Sequence, residues 1–92
     1  MRAVEYSNRF KRDYKRMKKR GKDLSKLTTI MKWLEGNTPL PESMHDHSLI
    51  GNWSGTRECH IELDWLLIYS LADNDCCVRL ERTGSHSDLF QK

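Results

Sequence analysis

The chain has 92 residues, a formal net charge of +3 and 32% charged residues, which suits one domain around one modest core. No apolar run approaches the ~20 residues that a membrane span needs, and no apolar signal region follows the start, so the expectation is a soluble, cytoplasmic protein with no membrane partner. Three cysteines, Cys59, Cys76 and Cys77, two of them adjacent, make a poor disulfide framework and fit a reducing compartment.

The charge is polarised along the chain. Residues 1–35 hold twelve Lys and Arg against four Asp and Glu, whereas residues 36–92 hold four against nine. A basic half beside an acidic half points to an anionic partner for the first, either nucleic acid or an acidic protein segment; a solvated helix face is the plainer reading.

In chain order, residues 2–6 (RAVEY) alternate enough for a short first strand. Ser7 then reads as a helix N-cap. Phe10, Tyr14 and Met17 follow at i, i+4 and i+7, one helical face. Around them stand Arg9, Lys11, Arg12, Lys15, Arg16, Lys18, Lys19 and Arg20, and Gly21 is a C-terminal stop. A second helix is expected from about Asp23 to Glu35, with Leu24, Leu27, Ile30, Met31 and Leu34 as its apolar stripe. The short Gly21-Lys22 break makes the two an antiparallel hairpin.

Residues 37–55 read as an extended loop. Pro39 and Pro41 hold Thr38 and Leu40 extended, and Gly51 and Gly55 flank Trp53, either a plug over the core or a ligand platform. Strands are expected at roughly 56–62, 65–71 and 76–83. The middle one, WLLIYSL, is nearly all apolar and should be central and covered on both faces. Ala72-Asp73-Asn74-Asp75 is a hairpin turn, and residues 85–90 make one last helical turn. The order β-α-α-β-β-β predicts an α+β domain, a helical hairpin on a mainly antiparallel sheet.

In a meander, the late end of the 56–62 strand, the early end of the 65–71 strand and the late end of the 76–83 strand share one sheet edge. His60, Asp64, Trp65 and His86 can therefore converge; His47 joins them only if its loop folds over. Histidines around one edge suit proton transfer near neutral pH. RNA cleavage needs little more: a base for the ribose 2′-OH, an acid for the leaving 5′-oxygen, and a cation for charge building on phosphorus. Arg82 is a candidate for the cation, and Trp65 and Phe90 could stack on unpaired bases. Each residue also has a plain reading. His45 is solvated, Asp64 serves the turn, Phe90 anchors the tail, and Arg82 pairs with Glu81 or a neighbouring acid. Cys59, His60, Cys76, Cys77, His45 and His47 are possible metal ligands, but no Cys-x-x-Cys spacing exists and Cys76 and Cys77 point to opposite faces of a strand, so no metal is expected. Phosphate-cradling glycine loops and Gly-x-Ser-x-Gly elements are absent.

The run Asp46-His47-x-Leu49-x-Gly51-x-Trp53-x-Gly55-x-Arg57-x-x-His60-x-Glu62-x-Asp64-Trp65-x-Leu67-Ile68-Tyr69 resembles the YafQ branch of the RelE-like bacterial toxins. So does the ending, Arg79-x-Glu81-Arg82-Thr83-Gly84-Ser85-His86-x-x-Leu89-Phe90, and so does Glu5-Tyr6-Ser7 before a basic helix. The resemblance covers essentially the whole chain and implies a single RelE-like domain over residues 1–92. It further implies the toxin of a type II toxin–antitoxin pair, a ribosome-dependent endoribonuclease that cuts mRNA in the A site without metal or cofactor and leaves a 2′,3′-cyclic (or 3′) phosphate and a 5′-hydroxyl. By position, His47, His60, Asp64 and His86 match the branch's catalytic group, and Trp65 and Phe90 match residues lining its active site. His86 would serve the scissile phosphate and leaving oxygen, His60 and Asp64 the 2′-OH side, and His47 would assist. The basic residues Arg9, Lys11, Arg12, Lys15, Arg16, Lys18 and Lys19 would contact ribosomal RNA or a RelB/DinJ-like antitoxin. The toxin alone would be monomeric and would form a hetero-oligomer with its antitoxin. Two departures stand out: Leu63 replaces the proline of the branch's Glu-Pro-Asp-Trp turn, and Ser54 replaces a lysine after Trp53. A module of the same fold that blocks translation without cutting is the alternative reading.

Overall fold

A computed structural model describes residues 1–90. Strand β1 (Ala3–Tyr6) leads into helices α1 (Asn8–Lys19) and α2 (Leu24–Glu35). A long connection follows, holding two 3₁₀ turns (Glu42–Met44 and Gly51–Trp53) and a two-residue strand, β2 (His47–Ser48). Strands β3 (Arg57–Glu62), β4 (Trp65–Ala72) and β5 (Cys77–Gly84) and helix α3 (His86–Phe90) complete the described chain. The sheet has five strands in the order β1-β5-β4-β3-β2, with β1 parallel to β5 and the other pairs antiparallel. The expected α+β fold is found; the added element is β2, inside what read as loop.

Local chemistry sets the helix ends. The Ser7 hydroxyl accepts from Phe10 N–H at 2.9 Å and donates to the Glu81 carbonyl at 2.6 Å, so one side chain caps α1 and ties it to β5. At the other end Gly21 takes φ +80°, while Lys22 N–H donates to Met17 O and Gly21 N–H to Lys18 O. This is a Schellman closure, and a glycine adopts it without steric cost. The Asp23 carboxylate then caps α2 by accepting from Ser25 N–H at 3.1 Å. At the β4–β5 hairpin Asp73, Asn74 and Asp75 all take positive φ, the residue types that tolerate it best after glycine.

Strand β4 is central, and Trp65, Leu66, Leu67 and Ile68 are fully buried. Alternation sends Trp65, Leu67 and Tyr69 towards the helical hairpin, where they pack with Phe10, Met17, Leu27, Ile30 and Leu34. Leu66 and Ile68 face the other way, against Leu89 of α3, with Leu49, Trp53 and Phe90 around them. Each such large apolar side chain contributes about 1.5–3 kcal/mol on burial. Trp53 is thus a plug over the second, smaller core, its ring edge-on to Phe90 at 6.1 Å.

Candidate active site

The sheet face away from the helical hairpin carries the chemistry. On β3, Glu58 and His60 lie opposite Ile68 and Leu66 of β4, so all four point to that face. Their side chains meet, with His60 Nε2 3.1 Å from Glu58 Oε1. A bulge between His60 and Glu62 breaks the alternation. It turns Glu62 towards the helix layer, where Lys22 and Lys26 pair with it at 3.2 and 2.9 Å. Glu62 is therefore structural, although a regular strand would have placed it beside His60.

His47 reaches the same face because β2 pairs with β3, His47 opposite Glu58 and Ser48 opposite Arg57. The loop is pinned by Asp46, whose carboxylate accepts from the Tyr69 hydroxyl at 2.7 Å and from Arg57 Nε at 3.2 Å. Burial and this hydrogen bond push the Tyr69 phenol up, so it remains a donor. His47 Nδ1 lies 2.6 Å from the His45 carbonyl, and its Nε2 is 3.8 Å from Glu58 Oε1. A carbonyl only accepts, so Nδ1 carries the proton and Nε2 of the neutral ring is free.

His86 enters from α3. Its Nδ1 is 2.6 Å from Asp64 Oδ1, and the same oxygen accepts from His86 backbone N–H at 2.9 Å. These bonds hold the Asp64 carboxyl below the usual carboxylate range, the backbone donor contributing most. Asp64 therefore remains ionised at neutral pH, orients the imidazole and leaves His86 Nε2 free. Helix α3 is itself fixed by a reciprocal cap: Ser85 N–H donates to Asp88 Oδ2 and Asp88 N–H to Ser85 Oγ. Arg20 grips the same carboxylate with two bonds, at 2.6 and 3.0 Å.

The result is a cluster with His60 at its centre. Ring centroids of His45, His86 and His47 lie 5.7, 5.9 and 6.4 Å from that of His60, and Phe90 stands 6.5 Å from His86. His45 is exposed, as expected, yet at φ +51° its ring is brought edge-on to His60. Glu58, 6% exposed, is the member that the sequence reading missed. Its signal was the i, i+2 spacing to His60, which places both on one strand face.

Three expectations change. Trp65 is fully buried and donates Nε1–H to Thr83 Oγ1 at 2.9 Å; it packs in the core and cannot stack on a base. Asp64 partners His86 rather than His60, whose carboxylate is Glu58. Arg82 is bound to Asp13 of α1 by bonds of 2.7 and 3.0 Å, a neighbouring acid but not Glu81. A register shift in the β4–β5 ladder separates Ile68–Arg82 from Tyr69–Leu80, and Arg82 lines a cleft beside α1 instead of the histidine cluster.

One Glu58 carboxylate oxygen and one ring nitrogen each from His60 and His86 lie within 4.8 Å of one another, so these three residues could hold a metal ion. None of the three cysteines belongs to that group. The basic helix divides its charge between two faces. Lys11 and Lys15 rim an apolar groove with Tyr6, Phe10, Tyr14 and Met31, while Arg9, Arg12 and Arg16 line the polar cleft with Arg82.

Residues 2–91 match the family described as "Bacterial toxin of type II toxin-antitoxin system, YafQ". The chain is 48% identical over 90 residues to the mRNA interferase toxin YafQ of Escherichia coli K12, covering 97% of this chain and 96% of that one. Its fold matches the toxin in a crystal structure of the E. coli DinJ–YafQ complex with a TM-score of 0.88 and 46% identity, covering 98% and 99% of the two chains. A metal-bound toxin from Helicobacter pylori matches with a TM-score of 0.90 and 38% identity over 98% and 100%.

Proposed function

The chain belongs to the YafQ family of bacterial type II toxins, and from that membership we propose that it is a ribosome-dependent endoribonuclease that cuts mRNA in the A site. The observation that carries the reading is the pair of carboxylate–imidazole dyads, Glu58–His60 and Asp64–His86, with their rings 5.9 Å apart on one face. Acid–base cleavage of RNA needs two such groups on either side of one phosphate. A binding module that only blocks translation needs neither.

In this mechanism the 2′-OH attacks phosphorus, the P–O5′ bond breaks, and the products are a 2′,3′-cyclic phosphate and a 5′-hydroxyl. An ionised Glu58 accepts only, so it holds the proton on His60 Nε2 and leaves Nδ1 as the base for the 2′-OH. His86 acts as the imidazolium: its Nδ1–H stays on Asp64 and its Nε2 proton passes to the leaving 5′-oxygen. His47 stands next to Glu58 and assists when protonated. Phe90, between Trp53 and His86, offers an aromatic edge to an unpaired base. Donors and acceptors for both proton transfers come from the chain itself, so the proposed reaction routes no step through a metal. A DinJ-like antitoxin, a cytoplasmic location and a toxin that is monomeric until that antitoxin covers it complete the reading.

The test is product chemistry on programmed ribosomes with single variants, each protein being stripped with EDTA and desalted before it meets the ribosomes, whose Mg²⁺ is kept. Cyclic-phosphate and 5′-hydroxyl ends that persist after stripping, and a rate loss of about 10²–10⁴ in both His86→Ala and Asp64→Ala, are expected. Full cleavage by both variants would remove the assignment, and loss of cleavage on stripping would transfer the chemistry to a metal.

A further inference from the structure

All four histidines of the chain meet in one cluster, and three of them, His47, His60 and His86, have a part in the proposed cleavage. His45 is the one left over. Its ring stands nearest to His60, edge-on at 5.7 Å, against 5.9 Å for His86 and 6.4 Å for His47. Its backbone is held where a residue with a side chain seldom goes, at φ +51° and ψ +44°. The chain is pinned on both flanks. Met44 packs against the main core, and Asp46 is bound by Tyr69 and Arg57. Arg57 also donates to Ser48 Oγ at 2.8 Å, beyond His47. The backbone of His45 is fully used, its N–H on Glu42 O and its carbonyl on His47 Nδ1. Its ring is not. His47, His60 and His86 each have a ring nitrogen bonded within the protein. Among the described residues, neither nitrogen of the exposed His45 ring has a partner. A left-handed residue anchored on both flanks, its side chain unpaired beside reactive groups, serves a ligand better than it serves the fold.

Attack by a 2′-OH builds negative charge on the non-bridging phosphate oxygens, and a donor aimed there lowers the barrier. Arginine does not supply it from within the cluster. Arg82 is bound to Asp13, and Arg57 to Asp46 and Ser48. Among the described residues no lysine or arginine pairs with Glu58 or Asp64, whose partners are histidines. Resting on the RNA-cleaving reading, we propose that His45 is a further catalytic residue, whose ring N–H donates to a non-bridging oxygen of the scissile phosphate. An imidazole carries at least one N–H in either protonation state, so the contact needs no change of charge on His45. The left-handed turn then does two things at once. It aims the His45 carbonyl at His47, and it sets the His45 ring beside His60, where the 2′-OH is deprotonated.

Substitution separates the backbone of His45 from its ring. His45→Gly keeps the left-handed turn and the carbonyl that orients His47, at no steric cost, and removes only the ring. His45→Asn tolerates the same backbone and carries an amide N–H close to the place of Nδ1; His45→Gln carries one close to the place of Nε2. Single-turnover cleavage is measured on programmed ribosomes over a range of ribosome concentrations, with a thermal melt of each protein. At saturation His45→Gly should cut about 10²-fold more slowly, the low end of what losing one such donor costs. Its half-saturating concentration should not move, because the contact strengthens only as charge develops. Its Tm should match or exceed that of wild type, since the strained backbone is relieved. Asn or Gln should recover about tenfold of the lost rate. A full rate in His45→Gly overturns the proposal and, with wild-type cleavage intact, leaves the RNA-cleaving reading standing. A change in half-saturation alone, a loss that neither amide recovers, or a rate that falls in step with Tm across the three variants overturns it as well. A wild-type protein that leaves mRNA whole on ribosomes overturns both readings.

Discussion

Replacing Asp88 by Asn tests whether α3, and with it His86, is held by charge. The carboxylate is the hub of the C-terminal helix, accepting from Ser85 N–H and from two Arg20 nitrogens. These contacts, the Arg20 bonds first, hold its carboxyl far below the usual carboxylate range. Asn keeps the shape and one acceptor oxygen, so the loss is the charge-assisted grip of Arg20. Asp88 is 11% exposed at its side chain and Arg20 43%, between a buried and a surface pair. The cost is therefore about 1–2 kcal/mol at neutral pH, a fall in Tm of roughly 5–15 °C for a chain of this size. The sign with pH follows from linkage. A carboxyl whose pKa is depressed on folding stabilises the fold fully above the unfolded value, near 3.9, and loses that contribution as pH falls through the folded value. Denaturant melts of both proteins between pH 7 and pH 2 should show the difference intact down to about pH 5 and shrinking below about pH 4. A looser α3 should also slow RNA cleavage by about 10- to 100-fold. A gap that is absent at pH 7, or that stays constant into acid, would refute the ion-pair account of α3.

Four further outcomes follow. Gly84→Ala puts a Cβ 2.9 Å from Asp88 Cβ and Oδ2, so it should cost about 1–3 kcal/mol by melting and mimic the Asp88 variant in cleavage; a neutral Tm would mean that α3 yields freely. Glu58→Gln should lower cleavage by about 10²–10⁴ on ribosomes, whereas a lower Tm with an unchanged rate would reduce Glu58 to a structural role. Trp65→Phe should lose about 1.5–3 kcal/mol of stability, from the Thr83 bond and lost volume, and keep its RNA affinity; the opposite pattern would restore the base-stacking reading. With a thiol reagent at pH 8, Cys76 should react fast and Cys59 only on unfolding. Cys59 is buried, and burial, with Asp46 and Glu58 nearby, pushes its thiol up to about 12. Three fast thiols in the folded protein would contradict this.

Local signals carried most of the fold. Ser7, Gly21 and Asp23 speak through caps that involve residues a few positions away, and the apolar run of β4 says by itself that both its faces are covered. That same run buries Trp65, so assigning it to bases set a chemical analogy against a packing signal, and packing prevailed. The residues that resisted reading depend on distant partners. Strand β2 is two residues long, too short for any periodicity, and exists because Asp46 meets Tyr69 and Arg57. The bulge after His60 turns Glu62 away, which alternation cannot foresee. Arg82 finds Asp13 at a separation of 69 residues. The convergence of His47, His60 and His86 was legible from strand order and resemblance together, but the pairing of each imidazole with its carboxylate was not.

The most direct measurement incubates the purified protein with programmed ribosomes and, separately, with the same mRNA naked, and maps the new 5′ ends for wild type and His86→Ala. Cuts are expected only on ribosomes, at the A site, with none above background for His86→Ala. Ribosomes that bind the protein and stall with intact mRNA, or a His86→Ala variant that cuts as fast as wild type, would contradict the central role given to the Asp64–His86 and Glu58–His60 dyads.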